Sequence, residues 1–403
     1  MLTDLPLAQL RTYTSAHQAP GDFDDFWRET LAEAAKFELD VTVTPVETAL
    51  RTLDVFEVTY AGFGGHPIHA WLRVPRHQPR PLPAVVQFHG YGSGRGSALE
   101  ELIWASSGYA QLQVDVRGQG GAHAGGTTGD PVGSGPSFPG FLTRGIESRE
   151  TYFYRRVFTD AARAVQAARA LGVVDPDRVA VAGNSQGGGI ALAAAALVPD
   201  VAALYAQAPF LCDLRRASLI AGKPPYTELA GYLAAQRHEV ERTFEVLSYF
   251  DGVGFASRAT APAHFSIGLM DDIVPPSTVF GAYNAYRGRK NLDVWEYNGH
   301  EAGGGQDLEN VLATFAPLLN PGSWNHPFRV PIFGIHSFSA STVEWRSVPS
   351  GAEARNPMKI RTWAATGLAA VLGAVLAGCG GGSADAGGNT VNWMTSQVCW
   401  EWF

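Results

Sequence analysis

Cysteine is scarce in this 403-residue chain, which has only Cys212, Cys379 and Cys399. The last two lie in an unusual C-terminal stretch. The body therefore carries one thiol and no internal disulfide, which fits a reducing compartment. Basic charge is also short: 30 Lys and Arg stand against 38 Asp and Glu, for a net charge of −8. No basic stripe is present, and this argues against nucleic acid as a partner. The N-terminus, Met1-Leu2-Thr3-Asp4-Leu5-Pro6, lacks the basic start and apolar run of a secretory signal. These absences lead us to expect cytoplasmic residence. Apolar residues are plentiful at 46%, against 17% charged, which suits a globular protein with a large core.

Length alone would allow two domains, but α/β domains often run large. The run DFDDFWRETLAEAAKF places Phe23, Phe26, Trp27, Leu31 and Ala34 at helical spacing behind an acidic first turn. Residues 53–75 alternate and are broken by Gly and Pro, predicting a hairpin-rich entry. After Pro83 the short apolar runs AVVQFHG, AQLQVDV, RVAVAG, ALYAQAPF, AHFSIGLM and LDVWEYN alternate with longer helical stretches. Those stretches include Arg149–Leu171 and a helical region from Tyr226 to Tyr249. The alternation predicts an α/β fold, a mostly parallel sheet with helices on both faces. The connection from Gly118 to Gly145 is long and rich in Gly, Pro and Ser, as functional loops often are.

Chemistry-bearing segments follow directly on these strands, and in an open α/β sheet the active site lies beyond the carboxyl ends of the strands. The sharpest is Gly183-Asn184-Ser185-Gln186-Gly187, set between RVAVAG and an Ala/Gly-rich helix. A chain with 46 glycines can produce G-x-S-x-G by chance. Its place between strand and helix instead matches the turn that lifts a serine nucleophile above a sheet. A serine needs a base, itself oriented by a carboxylate, in the chain order Ser, acid, His. His300 follows the last strand and Asp271 the one before it. Asp271 and Asp272 compete for the acid, with a slight preference for Asp271, while His89 lies too early in the chain to be the base. The backbone N–H groups of Gln186 and, in the loop HGYGSGRG, of Tyr91 are the expected oxyanion donors. That loop lacks the Lys-Ser/Thr of a phosphate-binding loop. Arg117 and Glu301 read equally as an ion pair holding the His300 loop or as two independent surface charges. No cofactor or metal is expected.

RGQG, GNSQGG and GHE, together with DFDDFWRETL, GIESRETYFYRRVFTDAARAV, VLSYFDGVGFASRA and GLMDDIVPPSTVFGAYNAY, resemble the acetyl xylan esterase and cephalosporin C deacetylase family of α/β hydrolases over residues 1–320. The resemblance implies Ser185 as nucleophile, Asp271 as acid and His300 as base. It also implies oxyanion donors at Tyr91 and Gln186, and structural roles for Arg117, Gln119 and Glu301. Acetylated xylo-oligosaccharides and cephalosporin C are the implied substrates, and a cytoplasmic homohexamer the implied assembly. Asn184, where a smaller residue is common, and the HGYGSGRG loop depart from the family pattern and bear on acyl preference. The alternatives are a peptidase on the same fold, disfavoured because no propeller-sized N-terminal domain is present, and a non-catalytic binding relative, disfavoured because all three triad members remain.

Residues 321–403 do not resemble the family and are expected to be largely disordered. Within them MKIRTWAATGLAAVLGAVLAGC, residues 358–379, resembles a lipoprotein signal with its lipobox. Such a signal belongs at an N-terminus, so a fusion or read-through is the expected origin. The rival reading is a membrane anchor, but the apolar run of about 16 residues is short of the ~20 that span a bilayer.

Overall fold

The computed structural model describes residues 2–132, 135 and 140–320. The tail beyond 320, including segment 358–379, lies outside the described residues. Nine strands form one sheet: β1 (Thr42–Val46), β2 (Leu53–Ala61), β3 (Pro67–Pro75), β4 (Leu82–Phe88), β5 (Ala110–Val114), β6 (Val174–Asn184), β7 (Leu204–Gln207), β8 (Ala263–Gly268) and β9 (Lys290–Trp295). Their spatial order is β1-β2-β3-β5-β4-β6-β7-β8-β9. The first three run antiparallel and β3 joins β5 antiparallel, while every pair from β5 to β9 is parallel. The α/β-hydrolase expectation is met. Strands β5 and β8 are buried along their whole length, as parallel strands covered on both faces must be.

One departure is local. β1 was not anticipated, because TVTPV is short, mostly exposed and interrupted by Pro45, a pattern tolerated at a sheet edge. The expected helical region Tyr226–Tyr249 holds two helices, Tyr226–Ala235 and Val240–Leu247. They are separated by the polar run Gln236-Arg237-His238-Glu239, which offers no apolar face to continue the helix.

The anticipated helix is Phe23–Ala34, and it buries Phe23, Phe26 and Trp27. Trp27 packs edge-on against Phe250 and Phe255, with ring centroids 5.6 and 5.4 Å away. Its indole N–H donates to the Tyr249 carbonyl at 2.9 Å. The segment ahead of this helix is sewn to residues far along the chain. Thr3 donates to the Asp271 carbonyl at 2.7 Å, and Asp4 accepts from the Ser277 N–H at 2.7 Å. Tyr13 donates to Asp213 at 2.7 Å, and Asn284 donates to the carbonyls of Leu10 and Tyr13. Among the described residues no helix is long and apolar enough to cross a membrane.

Candidate active site

Strand β6 ends at Asn184, and the helix Gln186–Leu197 begins two residues later, leaving Ser185 to make the turn alone. Its backbone sits at φ 54° and ψ −121°, a conformation that side-chain-bearing residues rarely adopt and that must be held from outside. It is held: Ser185 N–H donates to the Gln207 carbonyl at 2.9 Å, and its carbonyl accepts from the Phe210 N–H at 2.9 Å. The turn closes only because its flanks are glycines. A Cβ on Gly183 would stand 2.1 Å from the Gly187 carbonyl carbon, and one on Gly187 2.2 Å from the Phe88 carbonyl oxygen. Ser185 is 6% exposed.

Geometry separates the two candidate acids. Asp271 is fully buried beyond β8, and its Oδ2 lies 2.8 Å from His300 Nδ1. Its other oxygen accepts the N–H groups of Ile273 and Val274 at 2.9 and 2.8 Å, which fixes the carboxylate plane. Asp272 faces away and pairs with Lys223 at the surface, at 2.8 Å. With Nδ1 engaged by the carboxylate, His300 keeps Nε2 for proton transfer. Among the described residues no hydrogen bond joins Ser185 Oγ to His300, a contact that commonly tightens only with substrate bound.

The residue after the serine does more than offer its N–H. The Gln186 side chain is fully buried and forms a reciprocal amide pair with Gln119: Gln119 Nε2 donates to Gln186 Oε1 at 2.9 Å, and Gln186 Nε2 donates to Gln119 Oε1 at 3.1 Å. Gln119 Oε1 also accepts the Gly92 N–H at 2.8 Å, and Gln186 Oε1 accepts the Tyr154 hydroxyl at 2.8 Å. RGQG thereby ties the Tyr91–Gly92 loop to the serine turn. Among the described residues the backbone N–H groups of Tyr91 and Gln186 have no acceptor, as oxyanion donors require. The Tyr91 hydroxyl accepts the N–H groups of Phe141 and Leu142 and donates to Glu228.

Arg117 and Glu301 are not partners, and Arg117 is not a surface charge. It is fully buried, with Nε 2.5 Å from Asp160 Oδ2 and Nη2 2.8 Å from Asp160 Oδ1. Asp130 completes the cluster at 3.4 Å and is itself bound by Arg156 at 2.8 Å. Because Asp130 sits in the long 118–145 connection, this cluster anchors that loop to the helix Phe153–Ala170. Glu301 instead braces its own turn, accepting from the Gly299 N–H and the Asn298 amide at 3.1 and 3.0 Å. Strand ends fix where a residue sits but not which way a long side chain turns, so the pairing was not readable.

His89 is buried behind the Tyr91 loop, and its Nε2 has no partner among the described residues. Burial, chiefly, depresses its pKa to about 4. Asp160, Tyr154, Glu228 and Asp307 escaped sequence reasoning. Asp160 had a signal: a carboxylate on the apolar face of a helix, one turn from Arg156 and Arg163, implies a buried ion pair. Asp307 lies at the base of the His300 loop. Its carboxylate accepts from Ser266 Oγ and the Gly303 N–H, both at 2.7 Å, and from the Trp295 indole at 2.8 Å.

Comparison with known proteins gives the family. A profile of the acetyl xylan esterase family matches residues 1–316. Among solved structures, an acetyl xylan esterase from Paenibacillus sp. R4 is 37% identical with a TM-score of 0.74, over 78% of this chain and 100% of its own. Acetyl xylan esterase 1 from Thermoanaerobacterium sp. JW/SL YS485 is 33% identical with a TM-score of 0.72, over 77% of this chain and 99% of its own. The acetyl esterase Axe7A of Xylanibacter ruminicola is 26% identical over 298 residues, 72% of this chain; the match spans 65% of that relative's length. A serine at a strained strand–helix turn and a carboxylate–histidine pair beyond the next strands thus occur in a chain that belongs to the acetyl xylan esterase family.

Proposed function

We propose that the chain is a serine esterase that removes acetyl groups from acetylated xylo-oligosaccharides and from cephalosporin C. Ser185 Oγ attacks the acetyl carbonyl while His300 Nε2 takes its proton, and Asp271 steadies the imidazolium that forms. The N–H groups of Tyr91 and Gln186 receive the oxyanion. The proton on His300 passes to the departing sugar oxygen, leaving an acetyl-Ser185 ester. Water, deprotonated by His300, then releases acetate and restores the serine. The observation that carries this reading is the 2.8 Å contact between Asp271 and His300, in a chain whose family match spans residues 1–316.

A substrate panel tests it. We expect acetate release from p-nitrophenyl acetate, acetylated xylo-oligosaccharides and cephalosporin C, with no cleavage of aminoacyl anilides. Labelling by a fluorophosphonate should vanish in Ser185→Ala. Full activity in that variant would sink the mechanism, and anilide cleavage would move the chain to the peptidases. Cytoplasmic residence and a homohexamer belong to the same reading. Light scattering on the purified full chain should give six copies, and a monomer would contradict the hexamer.

A further inference from the structure

Glu228 is a carboxylate in the wrong surroundings for its charge. It is 9% exposed, and among the described residues no Lys, Arg or His lies within ion-pair distance of it. Burying a carboxylate without a counter-ion is costly, and such groups persist only where they are hydrogen-bonded. Its partner is the Tyr91 hydroxyl, 2.5 Å away. Room for it is made by Gly140, at φ 121°, where a Cβ would stand 2.1 Å from Glu228 Oε2. Burial raises the Glu228 carboxyl above its ordinary value, with the Tyr91 hydrogen bond working against that rise.

Resting on the esterase reading, we propose that Glu228 is a positioning residue for the oxyanion site. Its carboxylate holds the Tyr91 hydroxyl and so fixes the loop that presents the Tyr91 backbone N–H. Gln119 already grips that loop from the sheet side through the Gly92 N–H. The opposite side is gripped from the helix Tyr226–Ala235, which carries Glu228, and from segment 141–142, whose two N–H groups point at the same hydroxyl. The Tyr91 ring is further wedged edge-on between Phe141 and Phe210, with centroids 5.4 and 5.8 Å away. Phe210 in turn donates its N–H to the Ser185 carbonyl. The hydroxyl of Tyr91 is therefore a junction between the elements covering the site and the backbone donor that meets the developing charge.

The test uses the full chain with Glu228→Leu, Glu228→Gln and Tyr91→Phe, measured against p-nitrophenyl acetate and a fluorophosphonate. Deleting an oxyanion donor costs on the order of 10²–10³ in rate. Loosening one without deleting it should cost less, about tenfold in kcat for Glu228→Leu and Tyr91→Phe, with KM within about twofold. The rate of fluorophosphonate inactivation should fall in step, because its phosphoryl oxygen uses the same donors. Glu228→Gln keeps an acceptor for the hydroxyl and should recover most of the loss, and the double variant Tyr91→Phe/Glu228→Leu should be no worse than the poorer single one. If Glu228→Leu does not fold, Tyr91→Phe and Glu228→Gln carry the test. Wild-type kcat in Glu228→Leu or Tyr91→Phe, a loss confined to KM or to melting temperature, or losses that multiply in the double variant would overturn the proposal. An inactive, unlabelled wild-type protein would instead overturn the esterase reading beneath it.

Discussion

Gln119 and Gln186 hold each other by both ends of their amides, at 2.9 and 3.1 Å. This pair joins the Tyr91–Gly92 loop to the serine turn, and among the described residues the backbone N–H groups of Tyr91 and Gln186 have no acceptor. Gln119→Leu leaves the Gly92 N–H without its acceptor and leaves Gln186 Nε2 only its longer contacts with the His89 and Gly90 carbonyls, at 3.3 and 3.4 Å. We expect kcat to fall about 10–100-fold with KM nearly unchanged. Adding Gln186→Leu, which keeps the backbone donor, should worsen this little, and a multiplicative effect in the double variant would show that the pair does not act as a unit.

Asp271 and Asp272 are neighbours with opposite fates. Asp271→Asn should lower kcat by about 10³–10⁴, because the amide no longer holds His300 in its working tautomer. Asp272→Asn loses only an exposed pair with Lys223 and should stay within about twofold of wild type. Steady-state rates on one acetyl ester decide it; reversed effects would reassign the acid.

Asp307 receives three donors, from β8, β9 and the His300 loop. Only an acceptor on both oxygens satisfies them, so Asp307→Asn turns an N–H₂ against at least one donor. We expect kcat to drop while Asp307→Glu, with the charge but a longer stem, recovers little. Burial, the largest influence, raises the Asp307 carboxyl above its ordinary value. A wild-type rate in Asp307→Asn would show that the loop stands without it.

Arg117→Met strips the counter-ion from buried Asp160. Breaking such a pair typically costs about 3–5 kcal/mol, which urea unfolding can read directly. Arg117→Lys should recover only part, since an ammonium cannot span both carboxylate oxygens as the guanidinium does. Equal stability of the three proteins would contradict the buried cluster.

His89 makes stability sensitive to acid. Its folded pKa, about 4, lies below the ordinary value of 6.5 because burial disfavours the imidazolium. The neutral ring's contribution is therefore present above about pH 6.5 and is lost as pH falls toward the folded value. By pH 4 the loss approaches roughly 3 kcal/mol. Thermal melts of wild type should weaken across this window, and those of His89→Gln should weaken less. Parallel curves would exclude His89 as the sensor.

The parts legible in the sequence are those written in contiguous residues. The Ser185 turn shows itself because small neighbours must flank it on both sides, and the parallel sheet shows itself because its strands are short apolar runs. Tyr91, Gln119 and Gln186 were placed at strand ends by order alone, but their side-chain bonds were not readable. Arg117 meets Asp160 and Glu228 meets Tyr91 across separations of 43 and 137 residues, and no local pattern encodes such meetings. β1 was missed because an exposed edge strand has no apolar alternation to display.

The first fifteen residues have a consequence for synthesis. Their partners, Asp213, Ser277, Asn284 and the Asp271 carbonyl, lie 200 to 274 positions later. A ribosome delivers the opening segment long before anything it can bind. At about 5–20 residues per second it waits at least ten seconds or so for its partners. The Asp271 loop is thus buttressed only after most of the sheet has left the exit tunnel, by a segment made long before it and seated late.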